Sequence, residues 1–242
     1  LDWRTELCAL ERRGRTLEAM LTQFLDQSDP GQVYWIERAG SQSRRLALHS
    51  APIEIAPILA QHLYPAFSTV VMTSATLSVA GSLEYVRRRL GVPEGLDLVV
   101  GSPFDYSRQM KAYLVRDMPL PSDAAAFPPA VARAVEHFVG LTNGQAFVLF
   151  TSYSTMREMA ELLRPRLQEA GLRLMVQGEG TTRSLMLQRF RSESGWVLFG
   201  TDSFWQGGDV PGEALSDGII VKLPFAVPDR PVIEARIEQI RA

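Results

Sequence analysis

From residue 129 to residue 223 the chain alternates two apolar patterns, and that alternation leaves few folds open to it. Short apolar runs at Ala146 to Phe150, Arg173 to Val176, Trp196 to Phe199 and Gly218 to Leu223 read as strands. Between them apolar residues recur every three or four positions, from about Pro129 to Leu141, from Ser154 and from Arg183, which is the period of a helix with one buried face. Strands and helices in regular alternation predict an α/β domain whose parallel sheet is flanked by helices.

The helix after Phe150 illustrates the logic. Met156, Met159, Ala160, Leu163 and Leu167 make one apolar stripe, and Thr155 with Glu158 has the spacing of a capping box. The amino end of this helix therefore points at Thr151, Ser152 and Tyr153. Free backbone N–H groups with hydroxyls beside them suit a phosphate. Taken alone, the same residues serve equally as helix caps. Pro165 is expected to kink or shorten the helix.

Ahead of this region the chain is less regular. Residues 1 to 27 carry Leu7, Leu10, Leu17, Leu21, Phe24 and Leu25 at roughly helical spacing, with Gly14 as an interruption, and Asp29-Pro30-Gly31 marks a turn. Val33 to Glu37 and Arg45 to His49 read as a hairpin, and Pro52 to Pro65 as a helical stretch. Thr69 to Met72 reads as a short buried strand that delivers Thr73, Ser74 and Thr76 at its carboxyl end. Ser82 to Leu90 reads as a helix closed by Gly91, and the Pro- and Ala-rich segment from Pro119 to Pro129 as a linker.

Composition limits what such a chain can do. With 242 residues, 46% of them hydrophobic, it can fill one large or two modest domains. A net charge of -2 creates no overall field for nucleic acid, so any such contact must be local. The basic residues are almost all Arg, which fits a GC-rich genome more readily than phosphate binding. Cys8 is the only cysteine, so this segment holds neither a disulfide framework nor a four-cysteine metal site. No apolar run approaches the length of a membrane span, and a reducing, cytoplasmic setting is expected. Leu at position 1 suits an internal fragment. His49, His62 and His137 have no zinc spacing and no nucleophile context, and Gly178-Glu-Gly180 is too short for a dinucleotide fingerprint. Arg87-Arg88-Arg89 reads as a solvated helix face.

Three further stretches carry the functional signal. Thr73-Ser74-Ala75-Thr76-Leu77, Phe147 to Tyr153 and the segment from Phe199 to Gly212 each place small polar residues directly after an apolar run, and the last adds an aromatic pair, glycines and Asp209. Together they resemble motifs III, IV and V of a superfamily 2 nucleic-acid helicase of the DinG type, related to XPD. The resemblance continues through Leu90-Gly91, Ser102-Pro103-Phe104-Asp105, Gln177-Gly178, Phe190-Arg191 and Val221-Lys222-Leu223-Pro224-Phe225, in order, over nearly all of residues 68 to 236. Two positions depart from the usual family pattern. Gln206 stands where Glu is common, and Gly208 where a small apolar residue is common.

The resemblance implies a RecA-like sheet and a division of the chain into three parts. Residues 1–31 would be a helical segment left from an arch domain, 32–118 the end of the first motor domain with motif III, and 119–242 the second motor domain, truncated before motif VI. Thr151, Ser152, Gln177, Gly178, Thr201 and Ser203 would face DNA; Gln206, Gly207 and Asp209 would face ATP; Thr73, Ser74 and Thr76 would couple the two. Phe204 and Trp205 read as aromatics packed beneath their loop rather than stacked on bases.

The intact protein would use ATP and magnesium to move 5′ to 3′ along single-stranded DNA in repair or replication, as a cytoplasmic monomer without membrane contact. An iron-sulfur cluster, often carried by the family, would lie with the amino-terminal helicase domain that is missing here. This chain has only Lys111 and Lys222, neither in a P-loop, no Asp followed by Glu, and no Gln-x-x-Gly-Arg-x-x-Arg. It is therefore expected to bind no metal or nucleotide by itself and to be inactive as an isolated ATPase. The competing expectation is an α/β module that binds nucleic acid or protein and never hydrolyses ATP.

Overall fold

A computed structural model describes residues 3–38, 45–205, 210 and 212–241. The chain divides into two units, residues 1–105 with 226–242, and residues 106–225.

In the first unit, α1 (Trp3–Asp26) runs without a break through Gly14, so the interruption expected there does not form. The hairpin is present as β1 (Gln32–Arg38) and β2 (Leu46–Pro52), antiparallel, with Trp35 opposite His49 and their rings stacked at 5.0 Å. Because β2 extends to Pro52, the helix that follows is shorter than its flanking prolines imply and spans only Ala56–His62, α2. Next comes α3 (Glu84–Leu90), which ends at Gly91 in the left-handed region, as expected.

Thr69 to Met72 is not a strand. Val71 is 82% exposed, and among the described residues no neighbouring strand offers it a ladder of hydrogen bonds. Two arginines of the run are paired within the unit. Arg87 binds Asp97 at 2.6 Å and the carbonyls of Pro93 and Gly95, and Arg89 binds both carboxylate oxygens of Glu54 at 2.6 and 2.8 Å.

The second unit opens with the single turn α4 (Tyr106–Gln109) and α5 (Phe127–Leu141), whose Pro128 and Pro129 fall in the first turn, where a missing N–H costs nothing. Then β3 (Ala146–Leu149), α6 (Tyr153–Glu169), β4 (Arg173–Val176), α7 (Arg183–Ser192), β5 (Trp196–Gly200), the turn α8 (Asp202–Trp205) and β6 (Asp217–Ile220) follow in order. The four strands form one sheet in the order β4-β5-β3-β6, and every pair is parallel. This is the RecA-like α/β sheet with flanking helices that the alternation predicts.

Alternate residues of each strand feed opposite faces. Ala146, Val148, Val176, Val197 and Phe199 pack with α5 and α6, whereas Phe147, Met175 and Leu198 pack with Met186, Leu187 and Phe190 of α7. The stripe Met156, Met159, Ala160, Leu163 and Leu167 is buried, and α6 continues through Pro165 to Glu169 rather than stopping there. After β6 the chain returns to the first unit, where α9 (Pro231–Arg241) packs on β1 and the Arg236 guanidinium donates to the Ile53 carbonyl at 3.0 Å.

Candidate nucleic-acid interface

A sheet with every strand parallel puts all carboxyl ends on one edge, where open α/β sheets bind their ligands. Three of the predicted stretches lie there in the second unit: Phe150 to Ser152 after β3, Gln177 and Gly178 after β4, and Thr201 to Ser203 after β5.

After β3 the backbone extends at Ser152, whose hydroxyl accepts the Thr155 N–H at 3.2 Å and donates to the Thr155 hydroxyl at 2.9 Å. Ser152 is thus the N-cap of α6. The cap sits three residues earlier than the Thr155–Glu158 spacing predicts, because Ser152 has the extended backbone a cap requires, while Thr155 is already helical.

After β4, Gln177 reaches the loops that follow β3 and β5. Its amide oxygen accepts the Thr201 backbone N–H at 2.7 Å and the Thr201 hydroxyl at 3.0 Å. Its Nε2 donates to the Tyr153 hydroxyl at 2.7 Å and to the Ser203 hydroxyl at 3.0 Å. Gly178 then turns the chain with φ of 91°, a conformation that any side chain would strain.

After β5, Thr201 is buried, at 3% exposure, while Ser203 faces solvent. Phe204 packs inward against Phe147, and the Trp205 indole donates to the Phe150 carbonyl at 3.2 Å. Both aromatics therefore support the loop from below, in agreement with the packing expectation. The close approach needs glycine at 200, since a Cβ there would lie 2.7 Å from three Phe204 side-chain atoms.

A cleft of about 220 Å³ opens at the same edge, lined among others by Phe127, Phe150, Thr151, Ser152, Thr155 and Lys222. Wider concavities of about 650 and 500 Å³ lie along α1 and are lined almost wholly by that one helix, so they are open grooves. The sequence reading names Tyr153 at the phosphate-suited end of α6 and Lys222 in a family motif, but leaves both out of the DNA-facing set. Their signals were present, since Tyr153 directly follows the Thr-Ser pair and Lys222 is one of only two lysines.

Gln206, Gly207 and Asp209 lie outside the described residues. Thr73, Ser74 and Thr76 belong to the first unit and are exposed, with the Ser74 hydroxyl accepting the Thr76 N–H at 3.2 Å. At the opposite, amino-terminal end of β6, Asp217 has one carboxylate oxygen buried without a partner, and burial pushes its carboxyl above the ordinary range. Among the described residues no group of His, Cys, Asp and Glu stands close enough to hold a metal ion, and no helix is long and apolar enough to cross a membrane.

Comparison with known proteins agrees with this geometry. Residues 135–242 match the family described as the helicase C-terminal domain. The ATP-dependent DNA helicase YoaA of Escherichia coli is 34% identical over 235 residues, covering 97% of this chain and 36% of the relative. The ATP-dependent helicase DinG of Mycobacterium tuberculosis is 32% identical over 234 residues, 94% of this chain and 34% of the relative. In Bacillus subtilis the protein named 3'-5' exonuclease DinG is 31% identical over 220 residues, 88% of this chain and 24% of the relative. The chain thus spans about a third of the length of these relatives or less. Loops that meet at one edge of a parallel sheet agree with these comparisons, in which the chain is similar to the carboxyl-terminal region of DinG-type superfamily 2 helicases.

Proposed function

We infer that this chain supplies the DNA-gripping half of an ATP-dependent DNA helicase motor, with the carboxyl edge of the second unit's sheet facing single-stranded DNA. The observation that carries the reading is the hydrogen-bonded meeting of three motif loops at Gln177. Thr151, Ser152, Gln177, Gly178, Thr201 and Ser203 form that edge. Hydroxyl and backbone N–H groups are what a phosphodiester backbone binds, and a contact of this kind needs no net positive charge on the chain.

The finer assignments belong to the same proposal. Gln206, Gly207 and Asp209 face ATP and its magnesium in the intact enzyme, Thr73, Ser74 and Thr76 couple the two sites, and movement runs 5′ to 3′. The whole protein is a cytoplasmic monomer acting in repair or replication, with any iron-sulfur cluster in its amino-terminal part. Within this chain the family's domain limits would fall at 31/32 and 118/119, a division by motif that differs from the two units into which the chain packs. Asp209 suits the nucleotide side because a carboxylate can accept from ribose hydroxyls and is repelled by a polyanion.

The test is a salt series of oligo(dT) binding by the purified chain, with an ATPase assay beside it. Two or three phosphate contacts give a log-log salt slope of about -0.7 for each phosphate, on weak binding. No DNA-stimulated ATP turnover is expected, because the P-loop lysine and the acidic box are missing. Tight binding insensitive to salt, or turnover that survives rigorous purification, would overturn the reading.

A further inference from the structure

A phosphate oxygen only accepts hydrogen bonds, so a hydroxyl serves it only when its own hydrogen is free to point outward. Gln177 controls where those hydrogens point. The Thr201 backbone N–H can only donate, which fixes the amide oxygen of Gln177 on the Thr201 side, at 2.7 Å. Nε2 must then face Tyr153 and Ser203, and both hydroxyls become acceptors of its N–H groups, at 2.7 and 3.0 Å. Each keeps its own hydrogen for another partner. Both residues are exposed, Tyr153 at 47%. Thr201 has the opposite fate, because its hydroxyl hydrogen goes to Gln177 and the residue is buried. A primary amide has two donor hydrogens and two acceptor lone pairs, and these four bonds use them all.

We propose that Gln177 is a positioning residue: its carboxamide ties the loops after β3, β4 and β5 together and turns the Tyr153 and Ser203 hydroxyls outward as donors for a phosphodiester. Gln177 itself does not touch the DNA. This rests on the DNA reading of the edge and adds to it the division of labour among its side chains.

The experiment compares oligo(dT) affinity with hydrogen exchange at the Thr201 amide in the full chain. Gln177→Met removes all four bonds, so the Thr201 amide should exchange faster and affinity fall about threefold to tenfold. Placed on Tyr153→Phe/Ser203→Ala, the same change should cost less than about twofold further, since the hydroxyls it positions are already gone. A full additive loss would overturn the proposal and make Gln177 a direct contact. Gln177→Glu should keep Thr201 protected, because all four partners can donate to a carboxylate, yet lose affinity as both hydroxyls turn inward. Gln177→Glu with undiminished affinity would overturn it, as would a Thr201 amide still protected in Gln177→Met. Undiminished affinity in Tyr153→Phe/Ser203→Ala would remove the DNA reading itself, an outcome visible without any change at Gln177.

Discussion

The amide oxygen of Gln177 accepts both the backbone N–H and the hydroxyl of Thr201, at 2.7 and 3.0 Å, although 24 residues separate the two in sequence. They lie just beyond the ends of β4 and β5, adjacent strands in which Val176 stands opposite Phe199. A single side chain thus closes the gap between two loops that the sheet itself brings close.

Replacing Ser152 by Ala removes the N-cap of α6 and leaves the Thr155 N–H without its acceptor. The change is expected to destabilise the protein by about 1 kcal/mol. Chemical denaturation should show a lower midpoint with an unchanged slope. An unshifted midpoint would mean that water replaces the cap without cost.

Gly200→Ala introduces a Cβ only 2.7 Å from the root and ring of Phe204, a side chain that is 3% exposed and has little room to retreat. A loss of about 1 to 3 kcal/mol is expected. Thermal melts read it directly. Gly200→Ala should cost less on a Phe204→Ala background, because that change removes Cγ and Cδ2, two of the three atoms in the clash.

Asp217 gives a pH dependence whose sign is fixed. Burial raises its folded carboxyl above the unfolded value, so the unfolded state ionises more readily. The stability linked to its protonated form is fully present below the ordinary carboxylate range of about 3.9 and is lost as pH rises through the folded value. Asp217→Asn should therefore raise Tm at neutral pH, with the gain vanishing below about pH 3.9. A gain that is the same at every pH would assign the effect to packing instead.

Asp209 and Thr201 should separate when the intact helicase is assayed. Asp209→Ala is expected to weaken ATP use while leaving nucleotide-free DNA binding nearly intact, the loss of one charged hydrogen bond being roughly 1.5 to 3 kcal/mol. Thr201→Ala should show the reverse emphasis. Its backbone N–H stays on Gln177, but the hydroxyl that holds the amide in place is gone. Equal DNA defects in the two variants would contradict the division.

Much of the second unit is legible along the chain because its signals are local. The stripe from Met156 to Leu167 has a helical period wherever it is placed, and each of the four strands appears within a residue or so of its expected start. The motif hydroxyls are legible too, since short polar residues directly follow each apolar run. Thr69 to Met72 shows where such reading stops. An apolar, β-branched run expresses a preference, but a strand exists only when another chain segment accepts its hydrogen bonds, and none of the described residues does so there.

The sequence by itself determined the α/β alternation, the resemblance to DinG-type helicases and which residue types stand at the strand ends, because each rests on the identity and order of residues along the chain. Tertiary structure alone decided the order β4-β5-β3-β6, the cap at Ser152 rather than at Thr155, and the convergence of Tyr153, Gln177, Thr201 and Ser203. These depend on which segments become neighbours across the sheet and on where a donor meets its acceptor. Periodicity along a chain carries no record of either.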